Sequence, residues 1–75
     1  MPPAVWEALK ELTPSERRVL RKLADNQTSR EIAGDLHVSV RTVQNHRHNI
    51  CQKLGLRGSN RLLEVAIALR PLLDG

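Results

Sequence analysis

The sequence is poor in the residues that build several common classes of protein. It has 75 residues with one Trp, no Phe, no Tyr and a single Cys, which excludes an aromatic core and an internal disulfide. No apolar run approaches the roughly 18 residues needed to span a membrane, and no signal peptide is visible. Gly and Pro mark the ends of periodic segments, which argues against a fold of strands and turns. We therefore expect a cytoplasmic domain with a core of Leu, Val, Ile and Ala.

The chain also lacks the groups of residues that catalysis or metal binding requires. A domain of this length buries only about 60% of the surface of its unfolded form, which leaves no room for a deep, supported pocket. Neither Ser15 nor Ser39 belongs to a recognisable Ser–His–Asp arrangement. Both are better explained as residues that begin a helix. On a helix, His46 and His48 point to nearly opposite sides, and His48 with Cys51 alone would leave a zinc ion two protein ligands short. We expect no enzymatic activity, no cofactor and no metal.

Acidic residues are missing from one stretch. The net charge is +4, from 12 basic and 8 acidic residues, yet no Asp or Glu occurs between Asp35 and Glu64. An acid-free segment inside an otherwise mixed chain is typical of a surface that meets phosphate. The alternative is a merely solvated basic face. The segment contains Arg41, Arg47, Lys53, Arg57, Arg61 and all three His residues.

Local signals predict a series of short helices. Residues 1–11 are expected to be a linker or a short helix, followed by the main domain over residues 12–75. Thr13-Pro14-Ser15-Glu16 and Thr28-Ser29-Arg30-Glu31 are capping boxes that predict two helix starts. The apolar residues after each box follow helical spacing. They are Val19, Leu20, Leu23 and Ala24 in the first helix, and Ile32, Ala33 and Leu36 in the second.

A third helix is predicted from about Ser39 to Leu54. Ser39 can cap it, and Gly55 should end it because Gly is favoured just past a helix C-terminus. Val38 is expected to fill the turn before it. A short helix, a turn of about three residues and a longer helix together predict a helix-turn-helix.

The outward face of this third helix is rich in Gln, Asn, Arg and His and contains no Asp or Glu. Gln44, Asn45 and His48 lie on or beside the face opposite the apolar stripe. Such side chains can donate and accept hydrogen bonds at base edges, so we predict that these three contact bases, the alternative being a merely polar surface. The predicted phosphate contacts are on the flanks and ends of the helix: Arg41, Thr42, Arg47 and Lys53.

The last helix, expected between Gly58-Ser59 and Pro71, is too apolar for one buried stripe. Leu62, Val65, Ala66 and Leu69 form one face, and Leu63 and Ile67 form a second. An exposed apolar stripe usually marks a partner, so we predict a homodimer through Leu63 and Ile67. The alternative is that the N-terminal segment with Trp6 covers them.

These residues together resemble the LuxR-type helix-turn-helix domain, which also occurs at the C-terminus of many bacterial response regulators. The resemblance covers roughly Leu12 to Leu69, from the opening Leu12–Leu20 run to the Lys53-Leu54-Gly55 end of the third helix. It implies a four-helix, all-α fold, DNA binding and a dimerising last helix. Its base-contacting positions correspond to Gln44, Asn45 and His48.

The sequence therefore predicts a transcription regulator, or its effector domain, that binds specific double-stranded DNA. A second copy of the chain is the expected protein partner, RNA polymerase is an additional candidate, and no membrane is expected. Two alternatives stay open. One is the promoter-recognition region of a sigma-like factor, which normally lacks the apolar fourth helix. The other is a helical protein-interaction module with an incidental basic face.

Overall fold

Short capped helices follow one another along the chain, as the local signals predict. The computed structural model describes residues 3–58 and 61–73, with side chains from Trp6 onward. No strand occurs in these two ranges, so the prediction of an all-α fold is confirmed. The helices are α1 (Pro3–Lys10), α2 (Pro14–Ala24), α3 (Ser29–Leu36), α4 (Val40–Leu54) and α5 (Leu62–Leu73).

Both predicted capping boxes are formed. The Thr13 hydroxyl accepts the backbone N–H of Glu16 at 3.1 Å, and the Glu16 carboxylate accepts the N–H of Thr13 at 2.9 Å. Thr28 and Glu31 make the same reciprocal pair at the start of α3. These bonds satisfy backbone donors that have no partner within the helix, and they fix where α2 and α3 begin.

Left-handed residues end three of the helices and turn the chain. Asn26, His37 and Gly55 have φ values of 64°, 58° and 70°. Gly55 ends α4, as predicted, and pays no steric penalty there. His37 ends α3 in the position where such a turn would favour Gly. It therefore carries backbone strain within the helix-turn-helix.

The core lies where α2, α4 and α5 meet. α2 packs against both α4 and α5, α3 packs on α4, and α1 reaches α4. Fully buried branched side chains fill this centre, which agrees with the apolar stripes seen in the sequence. The largest of them are Val19, Leu20, Leu23, Ile32, Val43, Ile50 and Leu62.

Two local expectations, for Val38 and Pro71, are wrong, and a third lies partly outside the described residues. Val38 does not fill the turn, because 40% of its surface is exposed. The last helix begins at Leu62, later than Gly58, and the predicted start at Ser59 lies outside the described residues. Pro71 lies inside α5 and does not end it. A Pro removes the hydrogen bond to the carbonyl four residues earlier, here that of Ile67, a residue on the exposed side of α5.

Candidate nucleic-acid interface

α4 has a buried side and an outward side with different chemistry. Val43 and Ile50 are fully buried, and Leu54 packs against the same core. Ser39 begins the helix, where its hydroxyl accepts the N–H of Thr42 at 3.0 Å. The prediction of a helix from about Ser39 to Leu54 is therefore confirmed, and its outward face is fixed by the burial of the opposite one.

The three predicted base contacts lie exposed along α4. Gln44, Asn45 and His48 are open to solvent, and none has a side-chain hydrogen bond to another described residue. Their amide and imidazole groups are therefore available to an external partner. Arg41, predicted to contact phosphate, is likewise exposed and without a partner in the described ranges. The structure brings all four to one surface.

Arg47 connects the two helices of the helix-turn-helix. It is half-buried, and its Nη1 donates a hydrogen bond to the Ser29 hydroxyl at 2.7 Å. Ser29 is the first residue of α3. The guanidinium thus lies beside a helix N-terminus, where unpaired N–H groups and the helix dipole favour an anion. The sequence predicted a phosphate contact for Arg47 but not its bond to Ser29.

An open groove of about 560 Å³ runs beside α4 at this point. Residues of α4 and α3 and the segment after Gly55 form its walls, and no acidic side chain lines it. The lining residues are Ser29, Gln44, Arg47, His48, Cys51, Gln52, Leu56 and Gly58. The lining of this groove has no negative charge that would repel phosphate, and it offers several hydrogen-bond donors.

Thr42 and Lys53, the other predicted phosphate contacts, both have intramolecular partners. The Thr42 hydroxyl lies 2.9 Å from that of Ser39, at the start of α4. The Lys53 ammonium donates to the Glu16 carboxylate at 2.6 Å and to the Glu11 carbonyl at 3.1 Å. No observation tests their contacts with phosphate, which stay predictions.

Glu16 is buried and has an ion pair, neither of which the sequence predicts. The sequence predicts only the capping box for Glu16, yet this residue is 3% exposed and paired with Lys53. Burial raises the pKa of its carboxyl, but hydrogen bonds from Lys53 and Thr13 outweigh this, and the pKa is lowered from 4.5. Its spacing from Leu20 and Leu23, four and seven residues on, places Glu16 on the buried stripe of α2. That spacing was the signal for its burial.

The second apolar face of α5 is uncovered. Leu63 is 37% exposed and Ile67 is 53% exposed, whereas Leu62, Ala66 and Leu69 are buried. The division into two faces is therefore confirmed. Leu63 and Ile67 stay exposed although α1 is present, so the described part of the N-terminal segment does not cover them, contrary to the alternative.

The histidines and the cysteine form no metal site in the described part of the chain. Cys51 is buried, and its thiol lies 3.7 Å from the Gly58 carbonyl. Burial raises the pKa of this thiol, although the charge of Arg47 partly opposes the shift. Cys51 is therefore a protonated packing residue and not an activated nucleophile.

Comparisons with known proteins agree with this geometry. Residues 10–66 match the family model of bacterial regulatory proteins of the luxR family. The chain is 47% identical over 47 residues to the spore germination protein GerE of Bacillus subtilis, covering 63% of this chain and 64% of that protein. It is 37% identical over 59 residues to the uncharacterized response regulatory protein YgeK of Escherichia coli, covering 79% of this chain and 40% of that protein. No solved structure matches the chain at a significant level.

A further relative is the transcriptional regulatory protein UhpA of Escherichia coli, 47% identical over 45 residues, or 60% of this chain and 23% of that protein. The chain thus spans less than two thirds of the length of these three relatives. The family match itself covers most of the chain and includes both helices of the helix-turn-helix. The chain belongs to the luxR family of bacterial regulatory proteins and carries its helix-turn-helix DNA-binding domain.

Proposed function

We propose that this domain binds a specific double-stranded DNA sequence by placing α4 in the major groove. One observation carries the proposal: the outward face of α4 presents unpaired amide, imidazole and guanidinium groups and no carboxylate. An ordinary solvated helix face would more often carry Glu and Lys four residues apart. The 15 residues of α4 give a rod of about 22 Å, and a helix fits the width of the groove.

Gln44, Asn45 and His48 are the proposed base contacts. The amides of Gln and Asn can each donate and accept one hydrogen bond in a single plane, which matches the major-groove edge of adenine. The imidazole of His48, one turn after Gln44, can donate to an acceptor such as guanine N7. Their lack of competing partners within the described structure means that no internal bond has to break when they meet a base.

The proposed phosphate contacts flank this face. Arg41 points into solvent near the start of α4, and Arg47 and Ser29 bring a guanidinium to the N-terminus of α3. A phosphate beside Arg47 would also lie near the N–H groups of Ser29 and Arg30, the donors of the first turn of α3 that the capping box does not bind. Thr42 stays a predicted phosphate contact near the start of α4, whereas Lys53, predicted to be another, is already bonded to Glu16 and Glu11.

Two copies of the domain are proposed to pair through α5. The support is the exposed face formed by Leu63 and Ile67, which neither α1 nor any other described element covers. In a two-fold dimer the same patch meets itself, so Leu63 and Ile67 of one copy would pack against Leu63 and Ile67 of the other. A symmetric dimer would recognise two half-sites in inverted orientation.

The dimer is tested by Leu63→Glu. We expect the wild-type sedimentation coefficient to rise with protein concentration and that of the variant to stay at the monomer value, because a carboxylate would be desolvated in the contact. Val38→Glu is the matched control, since Val38 is similarly exposed but lies away from α5. Equal concentration dependence for wild type and Leu63→Glu would contradict the proposal.

Two broader expectations complete the proposal. Two of the relatives named above are a response regulatory protein and a transcriptional regulatory protein by name, so RNA polymerase stays a predicted partner. The cytoplasm stays the predicted compartment, because that is where a bacterial regulator meets DNA. No helix of the described residues is long and apolar enough to cross a membrane.

Selection from a randomised duplex library at low salt tests the specific function. Enrichment of a two-fold-symmetric motif would support both base reading and the dimer, and would give the half-site spacing. Enrichment of an asymmetric motif would support base reading and contradict the dimer. Retention of DNA without any motif would contradict base reading by this chain alone. No retention would instead favour the protein-interaction module.

A further inference from the structure

One ammonium group joins three helices at the C-terminal end of α4. Lys53 lies in the last turn of α4. Its Nζ donates to the carboxylate of Glu16, in the first turn of α2, and to the carbonyl of Glu11, just after α1. The same Glu16 oxygen accepts the N–H of Thr13. The start of α2, the end of α1 and the end of α4 are therefore connected through two atoms.

The ion pair between Lys53 and Glu16 is largely shielded from solvent. The Glu16 side chain is 4% exposed, and that of Lys53 is 30% exposed. At 2.6 Å the contact is a short charge-assisted hydrogen bond, which is about twice as strong as a neutral one. A carboxylate buried to this extent cannot reach DNA, and without Lys53 it would be left uncompensated.

These polar contacts add directional restraints to the apolar packing of α4. Val43, Ile50 and Leu54 attach it to the core by burial, which is not directional. The bond from Arg47 to Ser29 fixes the middle of the helix against α3. The bonds of Lys53 fix its end against α1 and α2.

We propose that Lys53 is a positioning residue that acts through Glu16 to hold α4 in the orientation that presents Gln44, Asn45 and His48 to base edges. The inference rests on the proposed reading function of α4. It differs from the phosphate contact predicted for Lys53 from the sequence. It also gives a role in DNA recognition to Glu16, a buried acidic residue that touches no DNA.

The two roles of Lys53 predict opposite results for Glu16→Gln. This change removes one negative charge and raises the formal net charge from +4 to +5. If Lys53 only contacted phosphate, the freed ammonium and the added charge would leave DNA binding equal or tighter. If Lys53 positions α4 through Glu16, specific binding weakens although the protein becomes more basic.

The experiment measures the affinity of the full chain for its selected duplex and for a scrambled duplex, each at several salt concentrations. For Glu16→Gln and for Lys53→Met we expect affinity for the selected duplex to fall about tenfold, with a smaller loss on the scrambled one. The salt slope of Lys53→Met on the selected duplex should stay at the wild-type value. Loss of a phosphate contact would lower it by about one. Lys10→Met, on α1, is the matched control for the lost charge.

The double variant Glu16→Gln/Lys53→Met completes the test. Since both changes break the same link, its affinity should equal that of the single variants and not show the product of their losses. Circular dichroism and thermal melting verify folding, and Gln preserves the capping box at this position. If Glu16→Gln does not fold, the salt slope of Lys53→Met decides.

Each outcome has one meaning. Tighter or unchanged specific binding by Glu16→Gln, a salt slope lowered by about one in Lys53→Met, or additive losses in the double variant would each overturn the positioning role. Wild-type protein that binds selected and scrambled duplexes equally would overturn the proposed reading function instead.

Discussion

α4 and α5 are alike on the sides that face the core and different on the sides that face solvent. Each buries a stripe of aliphatic residues against α2. Outside, α4 carries unpaired polar groups, whereas α5 carries the exposed Leu63 and Ile67. The inner sides therefore account for the fold, and the chemistry of the outer sides indicates what kind of partner each helix meets.

The two helices also differ in how they are held. α5 packs through Leu62, Ala66, Leu69 and Leu73, and its ion pair between Arg70 and Asp25 is solvent-exposed. Exposed pairs of this kind contribute little. α4 has the short bonds of Arg47 and Lys53, each with a half-buried donor. A helix that reads bases needs a fixed orientation, while an apolar contact between copies tolerates small displacements.

The largest expected effect tests whether the inner sides are equivalent. Ile50→Ala in α4 and Leu62→Ala in α5 should each lower the free energy of unfolding by about 2–5 kcal/mol, because each removes a fully buried side chain and leaves a cavity. Ile67→Ala is the control and should change it by less than about 0.5 kcal/mol. Urea unfolding at low protein concentration measures all three. A cost for Ile67→Ala as large as for Leu62→Ala would show that the outer side of α5 is packed within one chain.

The next largest effect is on the affinity for DNA and not on the stability of the fold. Asn45→Ala should cost about 1–3 kcal/mol in binding to the selected duplex and relax the preference at one base position. Titration of duplexes with single base changes measures the preference. Equal weakening on all sequences by Asn45→Ala would make this side chain a phosphate contact and not a base contact.

The fold was largely predictable because its signals are local. Two capping boxes, Ser39, Gly55 and the helical spacing of apolar residues define where α2, α3 and α4 begin or end. The exposed face of α5 was also predictable, because one helix cannot bury two stripes in so small a core. Pro71 was misread because tertiary packing of the last turn, with Leu73 buried, outweighs the local preference of Pro to end a helix.

The polar contacts of α4 were not predictable in the same way. The bond from Arg47 to Ser29 joins residues 18 apart, and that from Lys53 to Glu16 joins residues 37 apart. Charge patterns along a chain do not specify which cation meets which buried acid after folding. The sequence shows the charge of Lys53 but not its bond to Glu16, and the phosphate contact predicted for Lys53 stays a prediction.

The smallest expected effect separates the polar attachment of α4 from the apolar attachment of α5 by pH. Because the pKa of Glu16 is lowered from 4.5 in the folded chain, folding favours its ionised form. Its contribution to stability is therefore complete above pH 4.5 and is lost as the pH falls through the lowered pKa. Glu16→Gln removes this contribution, so its free energy of unfolding should fall less steeply than that of the wild type between pH 5 and acid pH. Leu62→Ala, which touches only the apolar attachment, should be less stable at every pH with the slope of the wild type. Urea unfolding across this pH range measures both slopes. The same acid slope in Glu16→Gln and wild type would show that the carboxylate is not what attaches the end of α4, and would leave the bond from Arg47 to Ser29 as the polar attachment of that helix.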